Sequence, residues 1–229
     1  MYRKMLFLIN TLLLTAGVFA AEDEQIVREI LDECGLDSLT VKDVAVIENG
    51  SVITLNLSNR DIRKDGVLKI PQKIGELTEL REFICTGNSI TEIPTEIGEL
   101  VNLEVLNLGS NRIVAVPSEI GDCKKLKKLD LRHNSLTLLP NEIGNLENLE
   151  YLWLWGNKLT SLNNEITRLH RLKELYLKDN RLTTLPVGII RMKFDYIDLI
   201  GNKLCDLSSV LDHWAKKIDD KYLSTQRCW

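Results

Sequence analysis

The chain has 229 residues, enough for one domain with a continuous core and too few for two ordinary enzyme domains. Leucine accounts for 40 of them and aromatic residues for only 6%, so the composition excludes collagen-like and disordered proteins. The formal net charge is −4 with both signs interspersed. Binding to nucleic acid or to an anionic membrane requires a concentrated positive field, so we expect neither partner.

The first twenty residues have the pattern of a secretory signal peptide. Arg3 and Lys4 precede an apolar stretch over 5–18, and small residues stand at the positions required for cleavage after Ala20. The stretch is shorter than the roughly 20 residues that a transmembrane helix needs. The pattern predicts a mature protein that is secreted, periplasmic or at the cell surface, without membrane insertion.

Residues 21–51 predict a helix followed by a hairpin. Apolar residues at 26, 27, 30 and 31 share one helical face, and Gly35 is suited to end that helix. The Asn49-Gly50 pair is a strong hairpin signal. A strand is therefore expected on each side of this turn, and the second strand begins near Val52.

Six asparagines recur at a nearly fixed interval through the rest of the chain. They are 23, 23, 23, 23 and 22 residues apart, and apolar residues stand at constant offsets around them in the pattern LxxLxLxxNxL. A buried amide side chain satisfies backbone groups that would otherwise be unpaired at a cost of about 1–3 kcal/mol. We therefore interpret all six as structural: Asn88, Asn111, Asn134, Asn157, Asn180 and Asn202.

This pattern resembles the leucine-rich repeat family, in the 23-residue class found in bacterial secreted proteins and in Ras-scaffold-type proteins of plants and animals. The resemblance covers residues 52–204, about seven repeats, and the first is atypical because Arg60 stands at the asparagine position. It implies an α/β solenoid, a curved right-handed horseshoe with a parallel β-sheet on its concave face. Residues 21–51 and 205–229 are then the N-terminal helix-hairpin cap and the C-terminal helical cap that an open solenoid needs.

The C-terminal cap contains apolar residues at helical spacing, at 207, 210, 211, 214 and 218, with Trp214 in its core, and two of the five cysteines. Cys205 and Cys228 flank this helix, and a disulfide between them would hold it over the last repeat, so we predict that bond. Cys85 and Cys123 stand where other repeats have leucine, and we expect them to be buried thiols. The fifth cysteine has no evident partner.

Nothing in the sequence has the spacing of a catalytic or metal site. The three histidines are scattered, and we find no nucleophile–base pairing, phosphate-binding glycine loop or zinc-ligand spacing. We therefore expect no enzyme activity, no cofactor and no bound metal.

We expect the functional residues at positions whose residue type the repeat pattern does not fix. The third, fifth and seventh positions of each copy alternate with the buried leucines, so they point onto the concave face. These positions are small, polar or aliphatic in the first three copies, whereas five aromatic residues fall on the fifth to seventh copies. We call these five the aromatic patch: Tyr151, Trp153, Trp155, Tyr176 and Tyr196. The charged residues predicted to bind ligand beside them are Asp130, Arg132, Lys178 and Asp198.

The aromatic patch predicts a non-enzymatic module that binds a protein or peptide, because Trp and Tyr supply large contact area with little loss of side-chain entropy. Two alternatives stay open. A flat row of aromatics also stacks on sugar rings, with nearby charged side chains binding the hydroxyls, which would make this a glycan-binding surface protein. Aromatics also suit exposed strands without any ligand, as in a purely structural repeat protein of unknown oligomeric state.

Overall fold

The computed structural model of the chain describes residues 21–60, 69–218 and 225–226, so the predicted signal peptide lies outside the described residues. The strands form one eight-stranded sheet in chain order. The first pair is antiparallel and every later pair is parallel. The strands are β1 (Ala45–Glu48), β2 (Ser51–Asn56), β3 (Glu82–Ile84), β4 (Val105–Asn107), β5 (Lys128–Asp130), β6 (Tyr151–Trp153), β7 (Glu174–Tyr176) and β8 (Tyr196–Asp198).

Between successive strands the chain crosses to the opposite side of the solenoid and forms a short 3-10 helix. Apolar residues from both sides meet in a continuous core, in which Leu106 and Leu108 of one repeat are at most 1% exposed. The predicted leucine-rich repeat solenoid is confirmed. The 3-10 helices are Gln72–Glu76, Thr95–Glu99, Ser118–Asp122, Asn141–Asn145, Asn164–Arg168 and Val187–Arg191.

The recurrent asparagines link neighbouring repeats through their side-chain amides. Nδ2 of Asn134 donates to the carbonyl oxygens of Leu108 and Leu131, both at 3.0 Å, and Oδ1 accepts from the amide of Ile113 at 2.9 Å. The six asparagines are at most 8% exposed. These contacts satisfy backbone groups of adjacent turns that no strand or helix pairs, which explains why the residue recurs at this position.

The N-terminal cap begins with helix α1, whose described part covers 21–33. It buries Val27, Ile30 and Leu31 against the first repeats. Gly35 follows with a φ of +69°, a left-handed conformation that glycine adopts without strain. The helix therefore ends where the sequence predicts.

A short helix α2 (Val41–Val44) connects α1 to the hairpin of β1 and β2. Asn49 and Gly50 form the hairpin turn with φ angles of +51° and +90°. Two positive φ values are what a two-residue turn of this kind requires. The cap thus continues the sheet by one antiparallel strand and covers the first repeat.

The C-terminal cap contains helix α3 (Ser209–Ile218). It buries Leu211 and Ala215, and Trp214 packs against the core as expected. Val210, which the sequence spacing placed on the same apolar face, is instead 54% exposed. The buried face follows 211, 214 and 215, and one residue earlier lies about 100° around a helix of 3.6 residues per turn.

Three thiols of the described residues are free and buried, namely those of Cys34, Cys85 and Cys123. Burial raises the pKa of the Cys123 thiol to about 12, so it stays protonated and unreactive at neutral pH. Cys205 is not among these free thiols. Its predicted partner, Cys228, lies outside the described residues, so their bond stays a prediction.

Candidate concave binding surface

The register of the parallel strands places the aromatic patch on three adjacent strands. Asp130 of β5 pairs with Trp153 of β6, and Trp153 pairs with Tyr176 of β7. Glu174 of β7 pairs in turn with Tyr196 of β8. Side chains at corresponding positions of paired strands lie side by side on one face. The structure therefore brings together the patch residues that the sequence predicted.

The rings of the aromatic patch pack on each other. Trp153 and Tyr176 meet edge to face with ring centroids 6.2 Å apart, and the rings of Tyr176 and Tyr196 are 4.9 Å apart. These separations are in the range of favourable aromatic pairs. Tyr196 is 46% exposed and the other four rings are half-buried. The surface is therefore ordered by its own contacts while its outer area remains accessible.

His133 extends this cluster, which the sequence did not predict. Its ring centroid lies 3.9 Å from that of Trp155, at an angle of 70°. The next repeat has Gly156 at the equivalent position, where an added Cβ would lie 2.6 Å from Nδ1 of His133. This glycine leaves room for the imidazole and is the sequence signal for the contact. His133 is nonetheless exposed, as are His170 and His213.

Two cations lie against the aromatic rings. The Lys128 ammonium is 5.3 Å from the ring centroid of Tyr151. The Arg132 guanidinium is 5.8 Å from the ring of Trp153 and 5.8 Å from that of Trp155. Both distances are within the range of cation–π attraction. These contacts fix the positions of two charged groups at the edge of the patch, one on β5 and one two residues after it.

The two aspartates predicted to bind ligand lie beneath the face. Asp130 is 3% exposed and Asp198 is 8% exposed. Oδ1 of each accepts a hydrogen bond from the amide two residues later, at 3.1 and 3.0 Å. Asn107 makes the same contact at 3.2 Å in its own repeat. One oxygen of each aspartate therefore forms the turn that ends its strand.

Burial also sets the electrostatics of the patch. It raises the pKa of the Asp130 carboxyl, while the backbone amide and the guanidinium of Arg132 oppose the shift. Burial and the nearby charge of Glu174 raise the pKa of the Tyr176 phenol, which therefore stays a hydrogen-bond donor at neutral pH. Within the described residues, no group of three or more His, Cys, Asp or Glu side chains is arranged to hold a metal.

A shallow depression of about 190 Å³ opens in the middle of the patch, lined by Arg132, Trp153, Trp155 and Tyr176. A larger groove of about 1020 Å³ lies in the N-terminal cap, between α1 and β1. None of the predicted ligand-binding residues lines that groove. The depression is therefore the concavity that coincides with the predicted site.

Comparison with known families identifies the fold class. The family model described as a leucine-rich repeat region matches residues 54–175, more than half of the chain, and a second, described as leucine rich repeat, matches 147–204. The chain belongs to the leucine-rich repeat family. A search of curated proteins found no match.

Solved structures similar to this chain include a leucine-rich repeat protein of Leptospira interrogans, with 35% identity, a TM-score of 0.56, and coverage of 70% of this chain and 46% of that one. A TDR receptor is 32% identical with a TM-score of 0.56, and the match covers 61% of this chain and 25% of that one. The PEPR1–AtPEP1 structure is 32% identical with a TM-score of 0.55, and the match covers 61% of this chain and 20% of that one. This chain therefore spans less than half the length of each of the three. In its described part, no helix has the length and apolar character to cross a bilayer.

Proposed function

We propose that this protein is a non-enzymatic binding module that acts outside the cytoplasmic membrane and holds a peptide or protein segment on its concave face. The observation that carries the proposal is the aromatic patch, whose rings are ordered by mutual contacts and remain partly accessible. Ordered aromatics surrounded by polar groups are typical of interface hot spots, since little entropy is lost when they bind.

The position of the patch within the molecule supports the same function. The concave positions of β3 and β4 carry no aromatic residue, only the aliphatic Ile84 and Val105 with polar or small neighbours. Strand-forming preference alone would not concentrate the aromatics on β6 to β8. The likeness to a TDR receptor agrees with a ligand-binding role.

A random 12-residue peptide library displayed on phage tests this function by selection on the immobilised protein. We expect enriched peptides whose affinity falls at least about 100-fold in the W153A/W155A variant, since each hot-spot residue contributes about 2 kcal/mol or more. Both rings are half-buried and pack on neighbouring side chains, so thermal unfolding of the variant is measured alongside to show that it is folded at the assay temperature.

The matched control is the I84A/V105A variant, which removes two half-buried concave side chains outside the patch. It should keep the wild-type affinity. Equal losses in the two variants, or enrichment of no peptide, would contradict the proposal. Selective binding to a glycan array that W153A/W155A abolishes would assign the patch to sugars instead.

A further inference from the structure

Arg132 is held in one position by the residues around and beneath it. Its Nε lies 3.2 Å from Oδ2 of the buried Asp130, and its side chain is 39% exposed. In the preceding repeat, the corresponding concave residue is Gly109, two residues after β4, where an added Cβ would lie 3.2 Å from Cγ of Arg132 and 3.4 Å from its Nε. A side chain at position 109 would press on Arg132 and, at 3.2 Å, on Oδ1 of Asp130, so the glycine leaves room for the arginine.

The far end of Arg132 faces the patch. Its guanidinium is equidistant from the rings of Trp153 and Trp155, at 5.8 Å, and it lines the depression with them. In the described part of the chain, Asp130 is its only carboxylate partner, and that contact uses Nε. The terminal nitrogens, which match an oxyanion in a bidentate arrangement, are left for a ligand.

Two further donors lie near the depression. The indole Nε1 of Trp153 is buried and has no hydrogen-bond partner among the described residues. Lys178 occupies the same position as Arg132 two strands further on, about 10 Å away, and is exposed with no carboxylate partner in the described part. The nearby acceptors Asp130 and Asp198 are buried, and each binds a backbone amide through Oδ1. Within the described chain, Oδ2 of Asp130 makes no hydrogen bond, and it lies 3.2 Å from Nε of Arg132.

We propose that the Arg132 side of the patch binds a carboxylate side chain, so that the ligand is an acidic peptide segment. The proposal rests on the proposed function and specifies its ligand. Glu174, the first residue of β7 and the third position of its repeat, lies about 13 Å along the strand direction from the seventh-position residues. Glu174 therefore determines the orientation of the ligand. The acidic residue of the ligand lies over the edge formed by Arg132 and Lys178, and an uncharged or basic residue lies over Glu174.

Pools of synthetic 12-residue peptides test this directly. Within a pool, every peptide carries the same residue at one position, and the remaining positions are random. Asp, Glu, Asn, Gln, Lys and phosphoserine are fixed in turn, and binding to the wild-type protein is measured at two salt concentrations. We expect the Asp and Glu pools to bind about tenfold more tightly than the Asn and Gln pools, with an advantage that shrinks at high salt.

Three variants identify Arg132 as the source of the preference. R132Q removes the charge, and G109V displaces the arginine without changing any aromatic residue. D130N keeps the turn-forming acceptor, as Asn107 does in its repeat, but removes the charge that holds Nε. R132Q and G109V should each reduce the acidic preference to about threefold or less while binding to the Asn and Gln pools persists, whereas D130N, which removes a negative charge beside the guanidinium, should not reduce it. The K42Q variant, at an exposed lysine of α2, should keep the full preference.

The outcomes separate the two proposals. Equal binding of acidic and amide pools that still depends on Trp153 and Trp155 overturns the acidic ligand and leaves the proposed function standing. Binding by no pool overturns both. A phosphoserine pool well above the Asp and Glu pools overturns the carboxylate in favour of a phosphorylated peptide, and an unchanged preference in R132Q overturns the role of the arginine.

Discussion

The two oxygens of the Asp130 carboxyl group have different roles, one in the fold and one at the binding surface. Oδ1 accepts the amide of Arg132 at 3.1 Å, and Oδ2 lies 3.2 Å from the guanidinium Nε of the same residue. The group is almost completely buried, so its charge is desolvated. Asparagine at the same position of other repeats forms the turn without that cost.

We predict that wild type loses stability relative to D130N as the pH rises through the range just above 3.8. Burial raises the pKa of Asp130 from this ordinary value, so the folded protein binds the proton more tightly than the unfolded chain does. The contribution of the group to the unfolding free energy is then greatest at low pH and declines as the carboxyl ionises.

Urea unfolding of both proteins between pH 3 and pH 7 measures this difference. The variant should be folded at every pH at which wild type is folded, because Asn107 shows that an amide accepts the same hydrogen bond. A wild type that gains stability relative to D130N over this range would mean that the arginine, and not burial, controls the carboxyl.

For individual side chains, the sequence predicted the face of the sheet correctly but not how deeply each side chain is buried. Alternation along a strand assigns every fifth-position residue to the concave face, and by that argument Asp130 and Asp198 were expected to bind ligand. Four fifth positions are Asn or Asp, at 56, 107, 130 and 198, and all four bind the amide two residues later. His133 lies after the strand, where alternation makes no prediction.

Between elements, charged side chains alternate in sign along one edge of the sheet. The residue before each strand is Arg81, Glu104, Lys127, Glu150, Lys173 and Asp195 in successive repeats. Glu104 pairs with Lys127 at 2.6 Å, and Glu150 pairs with Lys173 at 2.7 Å. The alternation is visible in the sequence once the 23-residue interval is known, and it favours this register of stacking over a shifted one.

We predict that the K127E variant is less stable than wild type by about 1 kcal/mol, since exposed ion pairs contribute modestly and the new charge faces Glu104 and Glu150. The loss should shrink at high salt. Lys127 lowers the pKa of Glu104 from its ordinary 4.5, so the pair stabilises the fold above that pH and is lost as the pH falls through the lowered value.

K124E is the matched control for this edge. Lys124 is exposed on the same side but contacts only a backbone carbonyl, that of Asn145 at 3.5 Å. Urea unfolding at pH 7 in low and high salt should show a smaller change for K124E than for K127E. Equal changes in the two variants would mean that net charge, and not the alternating pairs, determines the effect.

The whole molecule is a stack in which repeats contact their neighbours in the chain, which follows from repeats that cannot bury their apolar face alone. The sequence predicted this architecture because the leucine and asparagine positions are dictated by stacking. Ligand identity does not follow from the same residues, since the fold is compatible with many partners. It depends on side chains that the repeat leaves free.

NMR tests most directly the proposal that a peptide binds to the aromatic patch on β6 to β8. The chain has four tryptophans, so an NMR spectrum of the ¹⁵N-labelled protein resolves four indole signals, assigned through single Trp→Phe variants. Trp153 and Trp155 report on the patch, and Trp214 in α3 is an internal control. In a titration with a library-selected peptide, we predict that the signals of Trp153 and Trp155 move and saturate together while that of Trp214 keeps its position. Movement of Trp214 with Trp153 and Trp155 unchanged at saturation would contradict the claim.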